Sequence, residues 1–122
     1  RGAGVRAAVA AWGLPMQCVE PARASPVLTG VVTPLGVDAD AVRRLIYERF
    51  DLSLGTGLGK LKGRMFRIGH LGDSNDLALL ATVAGCEMGF KLSGVKLAAS
   101  GILAAMEYFA AHPAPSVLQK AA

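Results

Sequence analysis

The chain has 122 residues, enough for one domain with a real core and small for two. Hydrophobic residues make up 52%, which argues against disorder, and no apolar run reaches the length of a membrane span. The net charge of +4 is scattered, with clusters only at Arg43-Arg44 and Lys60/Lys62/Arg64, and the 6% of aromatic residues form no stacking platform, so no nucleic-acid partner is expected.

In chain order, Val5, Ala8, Val9 and Trp12 recur at helical spacing and predict a helix over 3–12, stopped by Gly13. Residues 16–20 read as a short strand, and Pro21 and Pro26 bracket a loop. The β-branched stretch 27–33 reads as a strand ending at Pro34. The segment 36–40 starts a helix with an Asp cap; Val42, Leu45, Ile46 and Phe50 form its buried stripe, and Arg43, Arg44, Glu48 and Arg49 its wet face.

Leu52 and Leu54 suggest a short strand entering a glycine-rich loop. That loop is not a nucleotide cradle. The Walker pattern needs a glycine where Leu54 stands and Ser or Thr where Leu61 stands, and the dinucleotide fingerprint fails at Lys60. Residues 65–71 then read as a strand with alternating faces: Phe66, Ile68 and His70 on one, Met65, Arg67, Gly69 and Leu71 on the other. Small Gly69 leaves room beside Arg67, whose planar fork of donors suits a carboxylate or phosphate. The competing reading is an arginine paired with a neighbouring acid or reaching to water.

Asp73-Ser74-Asn75-Asp76 reads as a helix start capped by Asp73 or Ser74. Leu77, Leu80, Ala81, Ala84 and Met88 predict one buried face, widened by Leu79 and Val83, with Gly89 as the stop and 91–94 as a connection. Val95, Ala98, Ile102, Ala105, Met106 and Phe109 predict a last helix ending before Pro113, and the tail from Ala114 is expected to fray. Cys18 and Cys86 read as isolated buried thiols, and His70 and His112 lack partners at metal-ligand spacing, so no metal is expected. The order of elements gives an α+β fold: a small, mainly antiparallel sheet with helices packed on one face.

The stretch GLGKLKGRMFRIGHLGDSND resembles the C-terminal small domain of class V, fold-type-I, pyridoxal-phosphate-dependent aminotransferases. The resemblance is to the serine–glyoxylate and alanine–glyoxylate family, and the flanking segments 24–61 and 77–95 follow the same pattern. It implies that residues 1–122 form one such domain and that Arg67 holds the α-carboxylate of amino-acid and keto-acid substrates. It also implies that Gly55, Thr56 and Gly57 belong to a loop near the active site; a plain connection is the other reading. The resemblance places pyridoxal 5'-phosphate and its Schiff-base lysine on an upstream large domain, because Lys60, Lys62, Lys91, Lys96 and Lys120 do not match the family's motif. It further implies a cytoplasmic homodimer in contact with its own large domain, with no membrane partner. Beginning at Arg1 and showing no signal-peptide pattern, the sequence is expected to start inside a longer chain or after processing.

Two other functions stay open at this point. A stand-alone, non-catalytic domain would bind a small acid or a partner without chemistry. A cysteine desulfurase or a phosphoserine aminotransferase would need a mobile nucleophilic cysteine, which neither Cys18 nor Cys86 resembles, or extra basic residues, for which only Lys60 and Lys62 could serve.

Overall fold

The computed structural model describes residues 2–16, 28–57, 62–69 and 75–113. Their elements are α1 (Gly2–Trp12), β1 (Leu28–Val32), α2 (Ala39–Phe50), β2 (Gly55–Thr56), β3 (Met65–Gly69), α3 (Asp76–Leu92) and α4 (Gly101–Ala111). Met16 bridges Val31 in antiparallel fashion. The rest of the expected 16–20 strand, the loop at Pro21 and Pro26, His70, Leu71 and the tail from Ala114 lie outside the described residues.

The sheet is three-stranded in the order β1-β3-β2, and both pairings are antiparallel. Residues directly opposite each other share a face. Thr29, Val31 and Thr56 therefore lie on the Phe66/Ile68 side, and Gly30, Val32 and Gly55 on the Met65/Arg67 side. The first side meets the helices: Phe66 packs against Phe90 of α3 with ring centroids 5.6 Å apart, and Phe90 meets Trp12 of α1 edge-on at 5.4 Å. This is the α+β architecture expected from the sequence, with the helices on the Phe66/Ile68 face.

Helix α1 buries Val5, Ala8, Val9 and Trp12 as expected, and Gly13 ends it at φ 78°. Asp38 caps α2, accepting from the backbone N–H of Asp40 at 2.9 Å. The buried stripe of α2 is narrower than expected: Val42 and Ile46 are buried, Leu45 is half-buried and Phe50 is exposed. Arg43 is also less wet than expected, because its Nη1 donates to Leu54 O at 3.4 Å and its Nε lies 3.6 Å from Asp40.

Helix α3 departs most from expectation. Its cap is Asn75, whose side chain accepts from Ala78 N at 2.8 Å; Asp73 and Ser74 lie outside the described residues. The inward face is Leu79, Val83, Cys86, Glu87 and Phe90, while Leu77, Ala81 and Met88, expected inside, are exposed. Both faces are apolar, so periodicity cannot choose between them. Gly89 does not stop the helix, which runs on to Leu92; a Cβ at Gly89 would overlap Ile46, so this glycine lets α2 and α3 approach. The last helix is shorter than its apolar pattern. Residues 95–99 are not helical, α4 begins at Gly101 behind the cap Ser100, and Met106 is exposed.

Candidate functional site

Strand β3 is the central strand, and Arg67 sits at its middle. Its cross-strand neighbours are Gly30 on β1 and Gly55 on β2. A central arginine would ordinarily be walled in by side chains on both sides. Here both directly opposed positions lack one. The side chain lies over Gly55, where an added Cβ would stand 3.2 Å from Nε.

One contact fixes the plane of the guanidinium. The Nε–H of Arg67 donates to the backbone carbonyl of Thr56 at 2.9 Å. Among the described residues no carboxylate forms an ion pair with Arg67, and this is its one hydrogen bond. The side chain is half-buried. The competing expectation of a neighbouring acid is therefore not met among these residues. Among the described residues the Nη groups have no hydrogen-bond partner, and Met65 and Val32 lie on the same side of the sheet.

The glycine segment is a strand where a loop was expected. Gly55–Thr56 is β2, hydrogen-bonded to β3, and Gly57 is buried. The short strand expected at Leu52 and Leu54 is displaced to these two residues, and the pairing sets Gly55 directly opposite Arg67. Arg43 steadies the segment through Leu54 O. The sequence reading named Gly55 and Thr56 but missed the role of Thr56. That role is played by a backbone carbonyl, so no side-chain pattern signals it.

A second polar cluster was missed altogether. Glu87 is 6% exposed, and its Oε1 accepts from Trp12 Nε1 at 2.7 Å and from Gly101 N at 2.6 Å. Ser100 Oγ donates to its Oε2 at 3.1 Å. Burial pushes the carboxyl pKa up, but the hydrogen bonds from Trp12, Gly101, Ser100 and Ile102 outweigh it and bring it below the ordinary value. An ionised carboxylate thus sits at the N-terminus of α4 and fixes where that helix starts. The cluster joins α1, α3 and α4 and lies on the helical side of the fold, away from Arg67.

The described residues do not fit pyridoxal phosphate. Lys62, Lys91 and Lys96 are all exposed, and Lys60 and Lys120 lie outside the described residues. A cavity of about 240 Å³ is lined by Glu87, Lys91, Leu97, Ala99 and Ser100, but Glu87 and Ser100 are already paired with each other. Cys86 is buried and its thiol is pushed up to about 12 by burial, which makes it inert as a nucleophile; Cys18 lies outside the described residues. Among the described residues no three potential metal ligands come together, and no helix is long and apolar enough to cross a membrane.

No family model matches the chain. It is 43% identical over 113 residues, 92% of its length, to serine–glyoxylate aminotransferase of Methylorubrum extorquens. It is 40% identical over 107 residues, 87% of its length, to L-aspartate–glyoxylate aminotransferase of Paracoccus denitrificans. The crystal structure of pyridoxamine–pyruvate aminotransferase from Mesorhizobium loti matches 90% of the chain with a TM-score of 0.83 and 33% identity. The chain spans 28%, 27% and 29% of those three proteins. Over most of its length, then, the chain is homologous to the C-terminal part of class V aminotransferases of the serine–glyoxylate family.

Proposed function

We propose that this chain is the substrate-carboxylate-binding C-terminal domain of a pyridoxal-phosphate-dependent transaminase that moves the amino group of serine, or alanine, to glyoxylate. The observation that carries the reading is the Arg67 guanidinium. It is half-buried on the central strand, flanked by Gly30 and Gly55, turned by Thr56 O and free of any acid among the described residues. Such a group binds a carboxylate through two parallel N–H···O bonds. Both the amino-acid donor and the keto-acid acceptor carry one, so a single arginine serves both halves of the exchange.

The relatives' names support glyoxylate as acceptor in two cases and differ in the donor, being serine in one and aspartate in the other. Serine is the donor we favour on the identity to the serine enzyme. The cofactor would supply the electron sink and carry the amino group, and we assign it, with its lysine, to a large domain preceding residue 1. No chemical step falls to residues of this chain. Arg67 binds and orients, and Gly55, Thr56 and Gly57 shape the edge over which the substrate enters. We place the enzyme in the cytoplasm as a homodimer, as the resemblance of the sequence to this family implies.

The test is Arg67→Ala in the full-length enzyme. Losing a charge-assisted pair worth about 1.5–3 kcal/mol should raise KM for serine and glyoxylate on the order of 10- to 150-fold. Cofactor affinity, read by absorbance titration, should stay unchanged. Arg67→Lys should recover little, since a point charge cannot replace the fork. Unchanged KM for both substrates would overturn the carboxylate assignment. A native polypeptide mass near 12.6 kDa would overturn the upstream large domain.

A further inference from the structure

Strand β2 has two residues and stands at the end of the strand order, paired with β3. So short a strand makes few ladder hydrogen bonds, and its place depends on support from elsewhere. That place matters, because Thr56 O takes the Nε–H of Arg67 and sets the plane of its guanidinium.

Helix α2 supplies the support, and it reaches both strands. The N–H of Ala39, in its first turn, donates at 2.9 Å to the carbonyl of Gly63, two residues before β3. One turn further on, Arg43 Nη1 donates at 3.4 Å to the carbonyl of Leu54, the residue before β2. Ala39 and Arg43 are four residues apart and so lie one above the other on the helix. The helix itself is fixed: Asp38 caps it, Val42 and Ile46 are buried, and Ile46 fits against Gly89 of α3. The entries to β2 and β3 are thus tied to one rigid turn, which sets how β2 lies against β3.

Arg43 is held in its turn. Its Nε lies 3.6 Å from Asp40 Oδ1, both atoms are buried, and among the described residues neither has a hydrogen-bond partner. The two charges face each other out of water, where their attraction is stronger than at an open surface. An arginine that only solvates a helix face keeps its head in water. Here Nε is buried and Nη1 turns to a backbone carbonyl.

We propose that Arg43, held by Asp40, is a positioning residue for substrate carboxylates: it fixes Leu54 O and with it β2, and through Thr56 O it sets the angle at which Arg67 meets its ligand. The inference rests on the reading of Arg67 as the carboxylate-binding group. In this role Arg43 touches no substrate and acts through Arg67.

Steady-state kinetics of the full-length enzyme with serine and glyoxylate test it, beside Arg67→Ala. Arg43→Met keeps the stem and the helix propensity and removes the donors. It should raise KM for both substrates about three- to tenfold, the change that corresponds to one hydrogen bond. Both kcat and cofactor affinity should hold, because the loss is in carboxylate binding. In the Arg67→Ala background Arg43→Met should cause no further fall in kcat/KM. A residue that merely stabilises the fold would lower Tm and leave KM alone. Asp40→Asn keeps the arginine but loosens it, and should raise both KM values about twofold; it carries the test should Arg43→Met fail to fold. A rise in KM with Arg67→Ala and none with Arg43→Met or Asp40→Asn overturns the positioning role and leaves the reading of Arg67 intact. A full additional loss in the Arg43→Met, Arg67→Ala double variant also overturns it, by giving Arg43 an effect of its own. Unchanged KM in Arg67→Ala overturns the reading and the positioning role together.

Discussion

The indole N–H of Trp12 donates to Glu87 Oε1 at 2.7 Å, tying the end of the first helix to the middle of the third. The same oxygen accepts from Gly101 N, where the fourth helix begins. Glu87→Ala would leave the Trp12 and Gly101 donors buried without an acceptor. Unsatisfied buried groups cost about 1–3 kcal/mol each, so the variant should lose about 3 kcal/mol of stability. Urea denaturation followed by circular dichroism measures it. Trp12→Phe removes one donor and keeps the ring, and should lose about 1 kcal/mol. A loss in Glu87→Ala no larger than in Trp12→Phe would show that the Gly101 contact contributes little.

The charge on Glu87 makes this clasp sensitive to acid. Burial raises its pKa, the hydrogen bonds lower it by more, and the folded value lies below the unfolded one. For a lowered carboxyl pKa the stabilisation is present above the unfolded value, about 4.3, and is lost as pH falls through the folded value. Wild type should therefore lose stability steeply below about pH 4.3, and Glu87→Gln should lose less over the same range. Urea midpoints between neutral pH and about pH 2.5 would show the two curves converging. Parallel curves would mean that other carboxylates carry the acid response.

The faces of β3 were legible because alternation in a strand leaves only two choices, and Phe66 and Ile68 decide which side is core. What the sequence could not show was that Gly30 and Gly55 stand on either side of Arg67, since register across strands distant in the chain is set by tertiary pairing. Helix α3 was legible as a helix and misread in orientation: Leu77 and Met88 make as good a stripe as Leu79 and Val83, and only the contacts of Phe90 with Phe66 and Trp12 choose. Glu87 carried no local signal. Its donors come from Trp12, before it, and from Ser100, Gly101 and Ile102, after it, and a lone glutamate in a helix looks like a surface residue.

Gly89 should be intolerant of the smallest substitution. Alanine at a mid-helix glycine normally gains up to about 1 kcal/mol from propensity. Here the added Cβ would overlap the Ile46 side chain from α2. Overpacking typically costs about 1–3 kcal/mol, so Gly89→Ala should be net destabilising. Adding Ile46→Val, which removes Cδ1, should recover part of the loss, and a double-mutant cycle would show coupling of about 0.5 kcal/mol or more. Additive effects would mean that α2 and α3 move apart without strain.

Gly55→Ala is the most informative change near the site. Its Cβ would stand 3.2 Å from Arg67 Nε and 3.5 Å from one Nη, close enough to turn the guanidinium without removing it. The backbone of β2 would stay paired, and alanine is the better strand residue of the two, so stability should change by less than about 0.5 kcal/mol. The hydrogen bond from Nε to Thr56 O would be displaced, and the fork would no longer meet a carboxylate in plane. In the full-length enzyme KM for amino and keto acids should rise several-fold, about 1 kcal/mol of binding, which is less than for Arg67→Ala. Arg67→Ala combined with Gly55→Ala should be no worse than Arg67→Ala alone, because the glycine acts only through the arginine. A further loss in the double variant would mean that Gly55 shapes the entry for substrate by itself, apart from its contact with Arg67.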